Sequence, residues 1–114
     1  MRSVFDWLYY EIAQTLKEFR EMLEIELVPN LSCCIECTAK KEYQESIRQY
    51  LQVGGDEELG EKIELLRAFL ESADFRELRS ESEKHLLVGK SVKFTLYQEQ
   101  GKPRCRMKVE DQAP

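Results

Sequence analysis

The stretch that decides the fold is residues 92–109, VKFTLYQEQGKPRCRMKV. Apolar side chains alternate with polar ones on both sides of Gln100-Gly101, which is the period of a half-buried β-strand. A two-residue turn at Gln100-Gly101 predicts an antiparallel β-hairpin over residues 91–109. This register gives three apolar pairs on one face: Leu96 with Cys105, Phe94 with Met107, and Val92 with Val109.

In the first part of the chain, apolar residues recur at the spacing of a long amphipathic helix. Ser3 caps its predicted start, and the helix is predicted to end near Leu27 because Pro29 cannot continue it. Such a helix would be about 35 Å long, which exceeds what a small domain needs for its own core. Its length suggests a helical hairpin or an oligomer seam. The candidate anchors near its start are Trp7, Tyr9 and Tyr10.

Three further helices are predicted between the first helix and the hairpin. One follows the cysteines and ends at Gly54-Gly55. The next begins after the cap residue Asp56, and the last begins after Asp74 and runs to Gly89. The pattern does not decide whether the last two are separate helices or one kinked rod.

These elements predict an α+β fold, in which a bundle of three to four helices packs against the C-terminal antiparallel β-hairpin. Residues 1–110 form a single domain in this interpretation, and residues 111–114 form a frayed tail. A chain of 114 residues is long enough for one core and leaves little room for a deep cleft. An isolated β-hairpin is only marginally stable, so the helices are expected to cover one face of the predicted hairpin.

Composition indicates a soluble cytoplasmic protein. Charged residues make up 34% of the chain and hydrophobic ones 42%. No apolar run approaches the ~18 residues of a membrane span. Asp6 and Glu11 interrupt the region where an export signal would need unbroken apolar residues. Because thiols are reduced in the cytoplasm, the four cysteines are not expected to form disulfides.

The cysteines suggest a metal site as an alternative to simple packing. Cys34 and Cys37 have the spacing of half a structural zinc site, and Cys105 with Cys33 or His85 could complete four ligands. A second close pair is missing, however, and Cys105 lies on the apolar face of the hairpin. We therefore expect packing thiols, with no metal and no cofactor. The alternative ligand set is Cys34, Cys37, His85 and Cys105.

A redox role is the second alternative for the cluster. A thiolate at a helix N-terminus is stabilised by the helix dipole, which would favour a reactive Cys34 or Cys37. A thioredoxin-type site needs a preceding strand, whereas the predicted preceding element is a helix. On a continuous helix, Cys33 would lie nearest the core and Cys34 would point outward, so Cys34 is the expected accessible thiol. The sequence has no catalytic motif around its single histidine, and we predict no enzymatic activity.

Charge is distributed unevenly along the chain. Residues 90–109 carry six basic side chains and one acidic one, Glu99, for a net charge of +5. Because the whole chain carries −5, the remainder carries −10. Tyr97 is predicted to lie opposite Arg104, within reach of a cation–π contact. The predicted partner-binding residues on the polar face are Lys93, Tyr97, Arg104, Arg106 and Lys108.

The sequence therefore predicts a small cytoplasmic interaction or adaptor protein without catalysis. It would self-associate as a homodimer and bind an acidic protein partner through the basic face of the hairpin. The first alternative is a thiol or metal protein that uses Cys33, Cys34 and Cys37. A nucleic-acid-associated regulator is the further alternative, although the acidic helices would repel phosphate. No membrane association is expected.

Overall fold

The computed structural model describes residues 23–111, which form an α+β fold. Three helices and a three-stranded antiparallel sheet of order β1-β2-β3 make up this part of the chain. The elements in chain order are β1 (Glu24–Leu27), α1 (Ile35–Val53), α2 (Glu57–Ser72), α3 (Phe75–Leu86), β2 (Lys90–Glu99) and β3 (Lys102–Asp111).

The predicted hairpin and its register are confirmed by β2 and β3. Leu96 pairs with Cys105, and Phe94 pairs with Met107. The turn is possible because Gln100 and Gly101 both adopt positive φ angles, 52° and 77°, as tight hairpin turns require. The strands extend further than predicted.

Asp111 was predicted to belong to a frayed tail, and this is wrong. It pairs with Lys90 at the end of the sheet, and the Lys90 ammonium lies 3.9 Å from its carboxylate. The cause is that the ladder continues beyond the apolar alternation on which the prediction relied. Residues 112–114 of the predicted tail lie outside the described residues.

A third strand replaces the end of the predicted first helix. Ile25 pairs with Leu96 and Leu27 pairs with Phe94, so Glu24–Leu27 forms a strand on the free edge of β2. The helix prediction is wrong here because the segment EIEL alternates with period 2 and buries both of its aliphatic side chains against the sheet. The sheet therefore has three strands rather than two. The rest of the first helix, with Trp7, Tyr9 and Tyr10, lies outside the described residues.

The other three helix predictions are confirmed. Gly54 ends α1 with a φ of 76°, and its N–H donates to the carbonyl of Tyr50. Asp56 caps α2 by accepting from the N–H groups of Glu58 and Leu59. Asp74 likewise caps α3. Because the backbone is extended at Ala73, α2 and α3 are separate helices and not one kinked rod.

The helices lie as a layer on one face of the sheet, which we call the core face. This arrangement differs from the predicted bundle with a hairpin, because the core is formed between the helices and the sheet. Its aromatic and aliphatic side chains come from α1, α2, β1 and β2, and α3 packs partly buried side chains against them. Burying each large side chain stabilises the fold by about 1.5–3 kcal/mol. The core consists of Ile25, Leu27, Ile35, Ala39, Leu65, Leu66, Phe69, Val92, Phe94 and Leu96, with Phe75, Leu78, Cys105 and others packed around it.

Within residues 23–111, no helix combines the length and the hydropathy needed to cross a membrane.

Candidate functional site

The sheet has a second face, opposite the helices, which we call the open face. Side chains on a strand alternate between the two faces, so every residue next to a core position in β2 and β3 belongs to it. The register places Lys93 opposite Lys108, and Tyr97 opposite Arg104. None of the residues on this face is buried. The open face thus brings together all five predicted partner-binding residues: Lys93, Tyr97, Arg104, Arg106 and Lys108.

Two carboxylates on the open face were missed by the sequence analysis. Glu24 pairs with Tyr97 across the sheet, and Glu26 pairs with Thr95. They belong to β1, and the signal that could have placed them was the alternation of EIEL just before Pro29. Because a helix is predicted there, the sequence places neither acid on the sheet.

Three of the four predicted partner-binding cations have acidic neighbours. Arg106 Nη2 donates to Glu24 Oε1 at 3.0 Å. Lys93 Nζ lies 3.7 Å from Glu26 Oε2. On β3 itself, Lys108 Nζ lies 3.0 Å from Glu110 Oε1, and this ammonium lowers the pKa of the Glu110 carboxyl. Because these side chains are exposed to solvent, the pairs add little to the stability of the fold.

Arg104 differs from these three cations. No carboxylate within residues 23–111 forms an ion pair with it. It is exposed and lies directly opposite Tyr97. Arg104 can therefore offer its guanidinium to a ligand carboxylate without first breaking an ion pair in the described part of the chain.

The predicted cation–π contact forms with a different arginine. Arg106, not Arg104, places its guanidinium carbon 4.7 Å from the centroid of the Tyr97 ring. Arg106 is opposite Thr95, so it reaches Tyr97 diagonally across the two strands. Long side chains can span this diagonal, whereas the predicted contact was between directly opposite residues. The contact brings Tyr97 and Arg106 together on the open face.

The cysteine cluster lies at the N-terminus of α1, away from the open face. Cys34 is the N-cap residue with an extended backbone, and its side chain makes no capping hydrogen bond. Cys33 precedes the helix, whereas Cys37 is in its first turn. All three thiols are partly exposed. The expected order, with Cys33 nearest the core and Cys34 outward, assumed a continuous helix and does not apply because α1 begins at Ile35.

The backbone of Cys33 is held in a tight turn with Asn30. The Asn30 side-chain oxygen accepts from the N–H groups of Ser32 and Cys33, both at 2.8 Å. Main-chain hydrogen bonds between Asn30 and Cys33 close the turn. The Cys33 sulfur lies 3.5 Å from the Thr38 hydroxyl, which also donates to the carbonyl of Cys34.

The predicted alternative metal ligands are not brought together. Cys34 and Cys37 lie at the start of α1, His85 lies in the last turn of α3, and Cys105 lies on the core face of β3. Desolvation raises the pKa of Cys105 to about 11, which keeps it a neutral thiol. No group of three or more His, Cys, Asp or Glu side chains within residues 23–111 is arranged to hold a metal ion.

Comparison with known proteins assigns the chain to a protein family. A protein-family model matches residues 19–110, and the chain belongs to that family, whose description names no activity, ligand or partner. A protein of Archaeoglobus fulgidus, described as an uncharacterized protein, is 45% identical over 49 residues, which are 40% of this chain and 58% of the relative. The chain thus matches little more than half the length of that relative. No solved structure matches the chain.

Proposed function

We propose that this protein is a non-catalytic interaction protein, located in the cytoplasm, whose open face binds an acidic segment of another protein. One observation supports this proposal above the others. Five side chains that suit an acidic ligand, none of them buried, lie together on the side of the sheet away from the helices. They are Lys93, Tyr97, Arg104, Arg106 and Lys108.

An acidic segment would bind by exchanging ion pairs. Arg104 has no carboxylate partner within residues 23–111, so it makes the first contact. A guanidinium can hold a carboxylate through two parallel hydrogen bonds, which fixes the direction of approach. Further carboxylates then compete with Glu24 and Glu26 for Arg106 and Lys93. This exchange is inexpensive because exposed pairs stabilise by about 1 kcal/mol or less.

The open face is better suited to a short acidic segment than to nucleic acid. The remainder of the chain is acidic, and its charge repels a long polyanion that extends beyond the sheet. At physiological salt, charges farther away than about 8 Å are largely screened. A short segment lying along β2 and β3 therefore experiences mainly the charges of the open face, where it competes with Glu24, Glu26 and Glu110 for the cations.

The proposal is tested with a fluorescently labelled poly-glutamate peptide and fluorescence anisotropy. Arg104→Glu is expected to weaken binding about fivefold or more, because it replaces an attractive charge with a repulsive one. Arg76→Glu is the matched control. Arg76 is an exposed arginine of α3, on the helical side, with no ion pair to a carboxylate within residues 23–111.

Equal loss of binding in both variants would contradict the proposal, because net charge alone would then explain it. Tighter binding of a single-stranded oligonucleotide than of poly-glutamate would favour the nucleic-acid alternative instead. Light scattering of the protein without peptide identifies the case in which a second copy occupies the face. If the protein is a dimer and Arg104→Glu dissociates it, the open face binds a second copy of the chain and not another protein.

A further inference from the structure

We propose that Cys33 and Cys37 form a reactive thiol pair that exchanges with small-molecule disulfides of the glutathione class. Cys33 is the attacking thiol and Cys37 the resolving thiol. This proposal is independent of the open face. It rests on the turn, the hydrogen bonds and the thiol cluster at the start of α1.

The turn with Asn30 fixes where the attacking sulfur lies. The Asn30 side chain accepts hydrogen bonds from Ser32 and Cys33, and two main-chain hydrogen bonds join Asn30 to Cys33. Together they hold Cys33 just before the start of α1. Cys37 is in the first turn of that helix, next to Thr38, whose hydroxyl oxygen lies 3.5 Å from the Cys33 sulfur. Both residues are partly exposed.

The surroundings favour a thiolate on one sulfur and a thiol on the other. Hydrogen bonds from Thr38 and Cys37 lower the pKa of Cys33, and the positive charge of Lys41 contributes. The Thr38 hydroxyl hydrogen can rotate from the Cys34 carbonyl to a Cys33 thiolate, which lies within reach. The pKa of Cys37 is raised, first through its hydrogen bond to Cys33. The unpaired N–H groups of the first helical turn further favour a nearby anion.

The reaction proceeds in two balanced exchange steps. The Cys33 thiolate attacks one sulfur of the small disulfide, whose S–S bond breaks and releases one thiolate, leaving a mixed disulfide on Cys33. Cys37 then loses its proton to solvent and attacks the Cys33 sulfur. This step breaks the mixed disulfide and releases the second small thiolate. The protein is oxidised by two electrons, and the small disulfide is reduced to two thiols.

The other two cysteines serve as internal comparisons. Cys34 differs from Cys33 because no hydrogen bond to its sulfur is present within the described residues. Cys105 is remote, on β3, and its raised pKa keeps it protonated. Neither is expected to exchange as fast as Cys33, since the thiolate is the reactive form.

The experiment treats the full chain and three variants with oxidised glutathione under denaturant-free conditions. Glu36 lies between the two reactive cysteines, so a glutamate-specific protease separates them into different peptides. In Cys34→Ser the expected product is one disulfide that links the Cys33 and Cys37 peptides. Cys37→Ser is expected to accumulate glutathione on Cys33, and Cys33→Ser to react about tenfold more slowly than the wild type.

Circular dichroism on each variant verifies that the substitutions leave α1 folded. A stable mixed disulfide in the wild-type protein would overturn the role of Cys37. Modification of Cys34 ahead of Cys33 in the Cys37→Ser variant would overturn the role of Cys33. A chain that stays fully reduced while a free glutathione control exchanges would overturn the proposal as a whole.

Discussion

The two faces of β2 have very different environments although they share one backbone. Val92, Phe94 and Leu96 are at most 1% exposed. Lys93 and Tyr97 alternate with them and remain partly exposed on the open face. The comparison shows that the core face determines how the strand is oriented and paired, because a slip by one residue would bury the charges. The open face can therefore carry chemistry at little cost to folding.

The largest expected difference between the faces is in the free energy of unfolding. Phe94→Ala should lower it by about 3–5 kcal/mol, because Phe94 is fully buried and its removal leaves a cavity. Thr95→Ala, the neighbouring substitution on the open face, should cost about 1 kcal/mol or less. Urea unfolding measures both. Similar losses for the two variants would show that the open face is covered in solution.

The pH dependence of the unfolding free energy tests how well the Cys105 thiol is shielded from solvent at the edge of the core face. Burial raises its pKa to about 11, so the folded state keeps a proton that the unfolded thiol releases near its ordinary pKa of about 9. The resulting stabilisation is present below about pH 9 and is lost as the pH rises towards 11.

The matched variant is Cys105→Ala, which has no thiol to ionise. Between about pH 8 and about pH 10, the wild type should lose more unfolding free energy than this variant. The difference should stay below about 1.4 kcal/mol per pH unit, the slope of one full proton, because Cys105 is only partly buried. Parallel pH profiles for the two proteins would show that the Cys105 thiol is as solvated as in the unfolded chain.

The smallest expected effect concerns the pair Glu24 and Arg106 on the open face. A double-mutant cycle with Glu24→Gln and Arg106→Gln should give a coupling free energy of about 0.2–1 kcal/mol that decreases with added salt. Chemical denaturation in urea, which does not screen charge, supplies the four stabilities. Coupling above about 2 kcal/mol would mean that the open face helps to specify the fold after all.

The elements predicted correctly from the sequence have strong local signals. The turn at Gln100-Gly101 and the alternation on both sides agree on one register, so the hairpin could be placed residue by residue. Asp56 and Asp74 each precede an apolar helical period, and both act as caps. These features depend on neighbouring residues and need no knowledge of the rest of the chain.

The elements that could not be predicted depend on distant contacts. Leu23 and Leu27 fit a helical period, while Ile25 and Leu27 fit a strand, and only pairing with β2 decides between them. The same error hid Glu24 and Glu26, which pair with the cations of the open face. The place of Arg106 over Tyr97 depends on side-chain reach rather than on register. The face on which the candidate residues lie could therefore be predicted from local alternation, whereas their side-chain partners could not.

The position of β1 in the sheet has a consequence for the order in which the molecule assembles. β1 is made before the three helices, and its partner β2 is made after them. During synthesis Ile25 and Leu27 consequently leave the ribosome with no strand to pair with. β2 and β3 can join through their tight turn at once, whereas adding β1 requires closing a loop that contains every described helix, at an entropic cost that grows with its length. Until that closure, β2 presents an unpaired edge to any other extended chain nearby.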